Sequence, residues 1–273
     1  MKLKLPPEWH PEESIWQPGY NRQAMRIPRL YIPGAAASGE VITAAGQAAH
    51  HVIQVLRLRP GAAVRLFNGN GPEWEAILLE GNRSRIRLEV GAAVETISEP
   101  SLSITLAQGI ARNDRMDFIL QKSVELGINR VQPLWMQRCQ SRVSGERLGR
   151  RLSHWRGVII SACEQSGRSI LPELHEPEEY TAWINRKNHS SLLLMLQPDS
   201  ARTLHDLPSP ENDIVILVGP EGGLNTEEQR LAEASGYTGI RLGQRILRTE
   251  TAALSALAAM HSLWGDFRGS GYR

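Results

Sequence analysis

The sequence predicts an α/β chain in two parts, a small and mostly β amino-terminal unit followed by a larger unit built on a parallel sheet. Three observations carry this. At 273 residues the chain is near the size at which a single core divides. Short alternating runs with glycine turns give way after Pro100 to alternating strands and helices, the pattern of a parallel α/β sheet. The run Ile214–Val218 is apolar and largely β-branched, suited to a strand covered on both faces, and it opens directly into Gly219, Pro220, Glu221, Gly222 and Gly223. A buried strand ending in a glycine loop and a helix start marks the ligand end of such a sheet.

In chain order, residues 1–24 hold four prolines and no periodicity and read as a flexible leader; the compact pattern starts at Met25. Residues 25–97 form the first predicted domain. Val52, Val55, Leu56 and Arg59 fall at helical spacing, which predicts a helix over 44–58 ended by Pro60 and Gly61. AVRLF, EWEAILLE and RIRLEV then alternate between turn formers as short antiparallel strands of a barrel or curled sheet. Arg83, Arg85 and Arg87 share one face of the last strand, equally consistent with a solvated face and with RNA contact.

Residues 98–268 form the second predicted domain. Strands are expected at SLSITLAQ, VQPLWM, LLLML, IVILV and IRLG, and helices at 114–126, along the Leu148-to-Cys163 apolar stripe, from about 226, and at 249–264. Asn225 or Thr226 followed by Glu228 or Gln229 gives a capping box.

Hydrophobic content of 41% and charged content of 22% exclude neither enzymes nor binding modules but argue against disorder and membrane classes. No apolar run reaches the roughly 18–20 residues of a spanning helix, and the amino terminus lacks the apolar centre of a secretory signal. A cytoplasmic protein without membrane contact is expected. Cys139 and Cys163 read as structural thiols, and His50 and His51 have no partners at ligand spacing, so no metal is assigned. Between residues 101 and 170 there are eleven Lys or Arg against five Asp or Glu, an excess of six, which suits phosphate contact or a solvated helix face.

Three stretches suggest chemistry. The GPEGG loop is neither a Walker loop nor a dinucleotide fingerprint, and the carboxylate of Glu221 would repel a polyphosphate while tolerating a cationic or zwitterionic ligand. LGQRILRTETAA (242–253) is a second strand-to-helix junction that brings Arg248 and Glu250 together, as a surface ion pair or as site residues. ACEQSGR (162–168) closes the long helix with Glu164 and Arg168. There is no G-x-S-x-G elbow and no H-E-x-x-H.

These stretches, together with MRIPRLYIP, HVIQVLR (51–57) and RNDRMDFILQKSVELG (112–127), closely resemble the RsmE-type ribosomal RNA methyltransferases of the SPOUT superfamily from Met25 to Phe267. Ala62, where the family often has aspartate, and the leader depart from the pattern. The resemblance implies a PUA-like β-barrel for RNA at 25–97 and a trefoil-knotted methyltransferase domain at 98–268. General rules of chain connection would instead give an unknotted doubly wound sheet. It further implies S-adenosylmethionine as cofactor, a homodimer, and methylation of uridine N3 at U1498 of 16S rRNA in the small ribosomal subunit. The alternatives are a non-catalytic RNA-binding protein or a SPOUT enzyme acting on another rRNA or tRNA base.

On that resemblance the catalytic candidates are Arg248 or Arg168 as donors toward a uridine anion, with Glu250 or Glu164 as proton acceptor or orienting group. The cofactor candidates are Leu194, Leu196, Gly219, Pro220, Glu221, Gly222, Gly223, Leu242, Gly243, Ile246, Leu247 and Thr251. The RNA candidates are Arg26, Arg29, Arg57, Arg112, Arg115, Lys122 and Arg138.

Overall fold

The computed structural model describes residues 27–34, 37–96, 99–139, 142–186, 192–211 and 213–268; the leader and Arg26 lie outside them. The first sheet contains β1 (Arg29–Tyr31), β2 (Val41–Ala45), β3 (Ala63–Phe67), β4 (Glu73–Gly81) and β5 (Arg85–Val94), in the order β1-β3-β4-β5-β2. All pairs are antiparallel except β1 with β3. Register shifts between Trp74 and Ala76 and between Leu78 and Glu80 bend β4, as bulges do. The curled sheet closes on Leu30, Val64, Leu66, Leu78, Ile86 and Leu88.

The helix expected over 44–58 is shorter. Ala44 and Ala45 are still strand, paired with Ile86 and Arg85, and Gly46 turns the chain at φ 66° before α1 (Gln47–His50) runs into a π-helical turn, His51–Val55. Leu58 N–H bonds back to Val52 O at 3.0 Å, a seven-to-one bond that closes the π-helical turn. That bond holds Arg57 at φ 53°, a conformation usually left to glycine.

The second sheet is parallel, with β6 (Ser103–Gly109), β7 (Arg130–Trp135), β8 (Glu173–Leu174), β10 (Leu192–Leu196), β11 (Asp213–Val218) and β12 (Thr238–Ile240) in the order β12-β10-β11-β6-β7-β8, and β9 (Glu178–Glu179) beside β7. On one face, α2 (Asn113–Glu125), α3 (Gly145–Ser166) and α6 (Thr249–Trp264) cover Ile104, Leu106, Ile214 and Ile216. On the other, α4 (Tyr180–Ile184) and α5 (Thr226–Ala234) cover Ala107, Met195, Val215 and Leu217. With helices on both sides, Ile214–Val218 is buried throughout, about 1.5–3 kcal/mol per large side chain relative to exposure.

The chain leaves β12 at the sheet edge and crosses back over the carboxyl ends of β10 and β11. It then starts α6 beside Gly219, whose carbonyl accepts from Thr249 Oγ1 at 2.6 Å. This re-crossing replaces the open connection of a doubly wound sheet and is the region of the trefoil knot that the resemblance implies.

A buried polar joint connects the two sheets. Arg29, 11% exposed, pairs with Glu73, 4% exposed. Its guanidinium also donates to Cys163 O, to Arg168 O at 3.0 Å and to Ser169 Oγ at 3.3 Å, and it stacks on Phe67 with 4.6 Å to the ring centroid. Tyr31 N–H donates to Glu164 Oε1 at 3.1 Å, and burial raises the Glu164 carboxyl above its usual range, against the lowering effect of that bond and of His51. Gly69, where an added Cβ would meet the Leu171 side chain at 3.0 Å, lets the β3–β4 turn seat against Ile170 and Leu171.

Candidate active site

The carboxyl ends of β10, β11 and β12 surround a cavity of about 330 Å³, at the small end of the range for small-molecule sites. Its walls come from three passes of chain, mostly backbone and apolar side chains. Leu196 ends β10 and leads into Gln197 and Pro198, Gly219 to Leu224 follow β11, and Ile240 ends β12 and leads into Arg241, Leu242, Gly243, Arg245, Ile246 and Leu247, with Gln229, Thr249 and Ala252 completing it. An added Cβ on Gly219 would lie 2.8–2.9 Å from backbone atoms of Gly223 and Leu224, so only glycine allows the loop to fold back so closely.

The glycine loop is braced from outside. Glu221 Oε1 accepts from Arg112 N–H at 2.9 Å and lies 3.5 Å from Arg115 Nη1, so its carboxylate caps the start of α2. Arg138 donates to Gly222 O at 2.6 Å. Beneath the loop, the fully buried Gln108 donates from Nε2 to Thr249 Oγ1 at 3.0 Å and to Gly219 O at 3.3 Å, tying β6 to both glycine-loop and α6. Asn225 caps α5 and forms a reciprocal box with Glu228. The second oxygen of Glu228 accepts from Gln137 N–H at 2.8 Å, fixing where the loop ends.

Of the cofactor candidates, Leu196, Gly219, Pro220, Glu221, Gly222, Gly223, Leu242, Gly243, Ile246 and Leu247 line this cavity. Leu194 does not, because it lies in mid-strand between Ile216 and Thr238 and is fully buried. Thr251 is exposed on α6 away from the wall, and Thr249 takes the place expected of it. Sequence reasoning missed Gln197, Pro198, Gln229, Arg241 and the buried Gln108, while Arg245 falls within the expected 242–247 pass. A glutamine inside the apolar run of β6 was the available signal for Gln108.

Arg248 and Glu250 fall on either side of Thr249 at the start of α6. Arg248 is exposed, and Glu250 Oε2 is buried without a hydrogen-bond partner among the described residues. Arg168 is not on the cavity wall: its guanidinium pairs with Glu99 and donates to Val124 O at 3.1 Å and Ile128 O at 2.8 Å, clamping the end of α2 to the end of α3. Glu164 belongs to the joint between sheets. Among the RNA candidates, Arg29 is enclosed in that joint, while Arg112, Arg115 and Arg138 brace the glycine loop. Lys122 pairs with Glu125 at 2.7 Å, and Arg57 is exposed. Burial pushes the Cys163 thiol up to about 12 and raises Cys139, so neither is a ready thiolate.

A knotted α/β domain with a backbone-lined cavity at its strand ends, preceded by a curled β unit, defines the class. The family model for an RNA methyltransferase domain matches residues 98–261, and that for an RNA methyltransferase PUA domain matches 45–91. The Ribosomal RNA small subunit methyltransferase E of Buchnera aphidicola is 33% identical over 88% of this chain and 98% of its own length. The crystal structure of a Ribosomal RNA small subunit methyltransferase E from Neisseria gonorrhoeae, bound to S-adenosyl methionine, is 39% identical with a TM-score of 0.82, covering 88% of this chain and 99% of that one. A Legionella pneumophila structure in complex with bound SAM is 36% identical with a TM-score of 0.85, covering 88% and 99%. The chain belongs to this family of small-subunit ribosomal RNA methyltransferases.

Proposed function

We propose that the chain transfers a methyl group from S-adenosylmethionine to N3 of one uridine, U1498 in the family, in 16S rRNA of the small ribosomal subunit. The cavity at the ends of β10, β11 and β12 is the observation that carries this reading. Its apolar side chains, Leu196, Val218, Ile240, Leu242 and Leu247, suit an adenine, and the backbone of the three passes offers donors and acceptors for its edge. Arg112 N–H and Arg115 hold Glu221 at the loop, a carboxylate compatible with a sulfonium cation and unfavourable to a triphosphate. S-adenosylmethionine supplies an electrophilic methyl group when bound there.

The remaining chemistry falls to the chain. Uridine N3 carries a proton and is a weak nucleophile until it leaves. In this reading Glu250, with its unpartnered buried oxygen, receives that proton. The negative charge left on the base spreads over N3 and the two flanking carbonyl oxygens, and the guanidinium of Arg248 stabilises it. Arg168 is assigned a positioning role between the ends of α2 and α3, and Glu164 one at the joint between the sheets. Residues 25–97 act as the RNA-binding barrel and 98–268 as the methyltransferase domain of a homodimer, working in the cytoplasm where ribosomal subunits are made; no helix among the described residues is long and apolar enough to cross a membrane.

Calorimetric titration tests the cofactor assignment. Binding of S-adenosylmethionine that ATP and NAD do not displace is expected; the absence of heat would leave a pure RNA-binding module, and displacement by ATP would favour a nucleotide-phosphate enzyme.

A further inference from the structure

A second, polar groove of about 470 Å³ lies between the curled β unit and α3, away from the cofactor cavity, with walls that include Gln47, Gln121, Ser153, His154, Gly157 and Ser161. Its lining is mainly amides, hydroxyls and one imidazole, with Gly157 and Val158 between them. Asp117 is bonded to the imidazole of His154 at Nε2, 2.7 Å away. The approach to the groove is basic from both units. On α3, Arg147, Arg150 and His154 fall at spacings of three and four, so they share one face, and all three are exposed. Neither Arg147 nor Arg150 forms an ion pair among the described residues, although Glu146 lies on the same turn. They span about 10 Å of helix axis from 147 to 154.

On the β unit, Arg85 pairs in register with Ala45, and Gly46 N–H bonds to Ser84 O at 3.3 Å, one residue before Gln47. Arg83 and Arg85 are exposed and unpaired among the described residues, whereas Arg87 on the same strand is joined to Glu80 at 2.7 Å. Guanidinium groups without an ion pair among the described residues, on α3 and on the strand end that adjoins Gln47, beside a groove lined mainly by amides and hydroxyls, fit a polyanion whose phosphates are held by charge and whose sugars and base edges meet amides and hydroxyls.

We propose that the Arg147–Arg150–His154 face of α3, the Arg83–Arg85 segment of β5 and the groove between them form a track for the substrate RNA backbone, distinct from the site of methyl transfer. The proposal rests on the RNA methyltransferase reading and adds to it the surface that fixes the register of the RNA. Contacts of this kind give affinity that falls with salt, by about 0.7–0.9 in the slope of log K against log salt per phosphate neutralised.

The test is the binding of a small-subunit RNA fragment to the full chain between low and moderate salt, with S-adenosylmethionine titration alongside. The double variant Arg147→Gln/Arg150→Gln is expected to lower the salt slope by about 1.4–1.8, to weaken RNA of any sequence alike, and to leave cofactor affinity and melting temperature at wild-type values. Arg230→Gln, whose pair with Glu227 lies on α5, should leave the slope unchanged. An unchanged slope in a double variant that still methylates would overturn this surface while sparing the enzyme reading. A wild-type chain that holds no RNA would overturn both.

Discussion

Gly219→Ala is the substitution from which most can be computed. The added Cβ would stand 2.8 Å from Gly223 C and Leu224 N and 2.9 Å from Gly223 Cα, closer than any non-bonded methyl normally approaches. Every obstructing atom is backbone. Residue 219 cannot retreat, since β11 is paired along its length with β10 on one side and β6 on the other, and the Gly219 carbonyl is held by Thr249 and Gln108. The strain must move the 220–224 loop by several tenths of an ångström, and overpacking of this kind costs about 1–3 kcal/mol. Because that loop is one wall of the cavity, S-adenosylmethionine affinity should fall tenfold or more, where tenfold is about 1.4 kcal/mol. Gly149→Ala is the control: it lies on α3 away from the cavity, and an added Cβ there meets nothing within 4 Å. Calorimetry with the cofactor and urea denaturation should show Gly219→Ala impaired and Gly149→Ala at or above wild type. Equal cofactor affinities for the two variants would show that the contact of residue 219 with Gly223 and Leu224 does not shape the cavity.

Arg248→Ala should give a folded chain with wild-type cofactor binding and methyl transfer reduced at least a hundredfold, about 2.7 kcal/mol; near-normal turnover removes Arg248 from catalysis. Glu73→Ala leaves Arg29 buried without its partner and should lower unfolding free energy by about 3–5 kcal/mol, read by urea denaturation, with loss under 1 kcal/mol counting against the joint. Glu221→Ala removes the cap on α2 and one brace of the loop and should lower stability by about 1 kcal/mol together with cofactor affinity, so unchanged affinity would make the carboxylate purely structural. His261 is enclosed, and burial lowers its pKa below the ordinary value despite Asp266, whose Oδ1 lies 3.0 Å from Nδ1 without hydrogen-bond geometry; Arg168 lowers it further. The unfolded chain therefore takes up the proton first as pH drops. The stability linked to this group is complete above about pH 6.5 and lost as pH falls through the depressed value. Melting curves from pH 7.5 to 5 should show that loss in the wild type and a smaller one in His261→Gln.

The sequence announced most of the second sheet because its strands are buried on both faces and so read as unbroken apolar runs, with helices that carry clear stripes and caps. Residues 241–248 were harder. IRLG has strand composition, yet only Ile240 remains in β12, because the chain must leave the edge there to re-cross the strand ends. That path is a property of threading, and local pattern does not encode threading. The spacing over 44–58 predicts a longer helix than the one formed because Ala44 and Ala45 suit a strand edge as well as a helix, and pairing with β5 decides between them. Arginine was the least legible residue. Composition marked the basic segment, but whether a guanidinium meets RNA, braces a loop as Arg138 does, or fills a joint as Arg29 does depends on groups far along the chain, 84 residues away at Gly222 for Arg138 and 44 and 134 residues away at Glu73 and Cys163 for Arg29. Ten of the twelve cofactor candidates line one cavity because glycine loops at strand ends are constrained locally.

This cavity is assigned to methyl transfer to a uridine N3 in small-subunit RNA. Labelled S-adenosylmethionine, the full chain and small subunits from a strain lacking this protein test it directly, with the modified base mapped by mass spectrometry. One methyl per subunit is expected, on N3 of a single uridine, abolished by Arg248→Ala. Label on a ribose, on another base, or absent altogether would contradict this assignment.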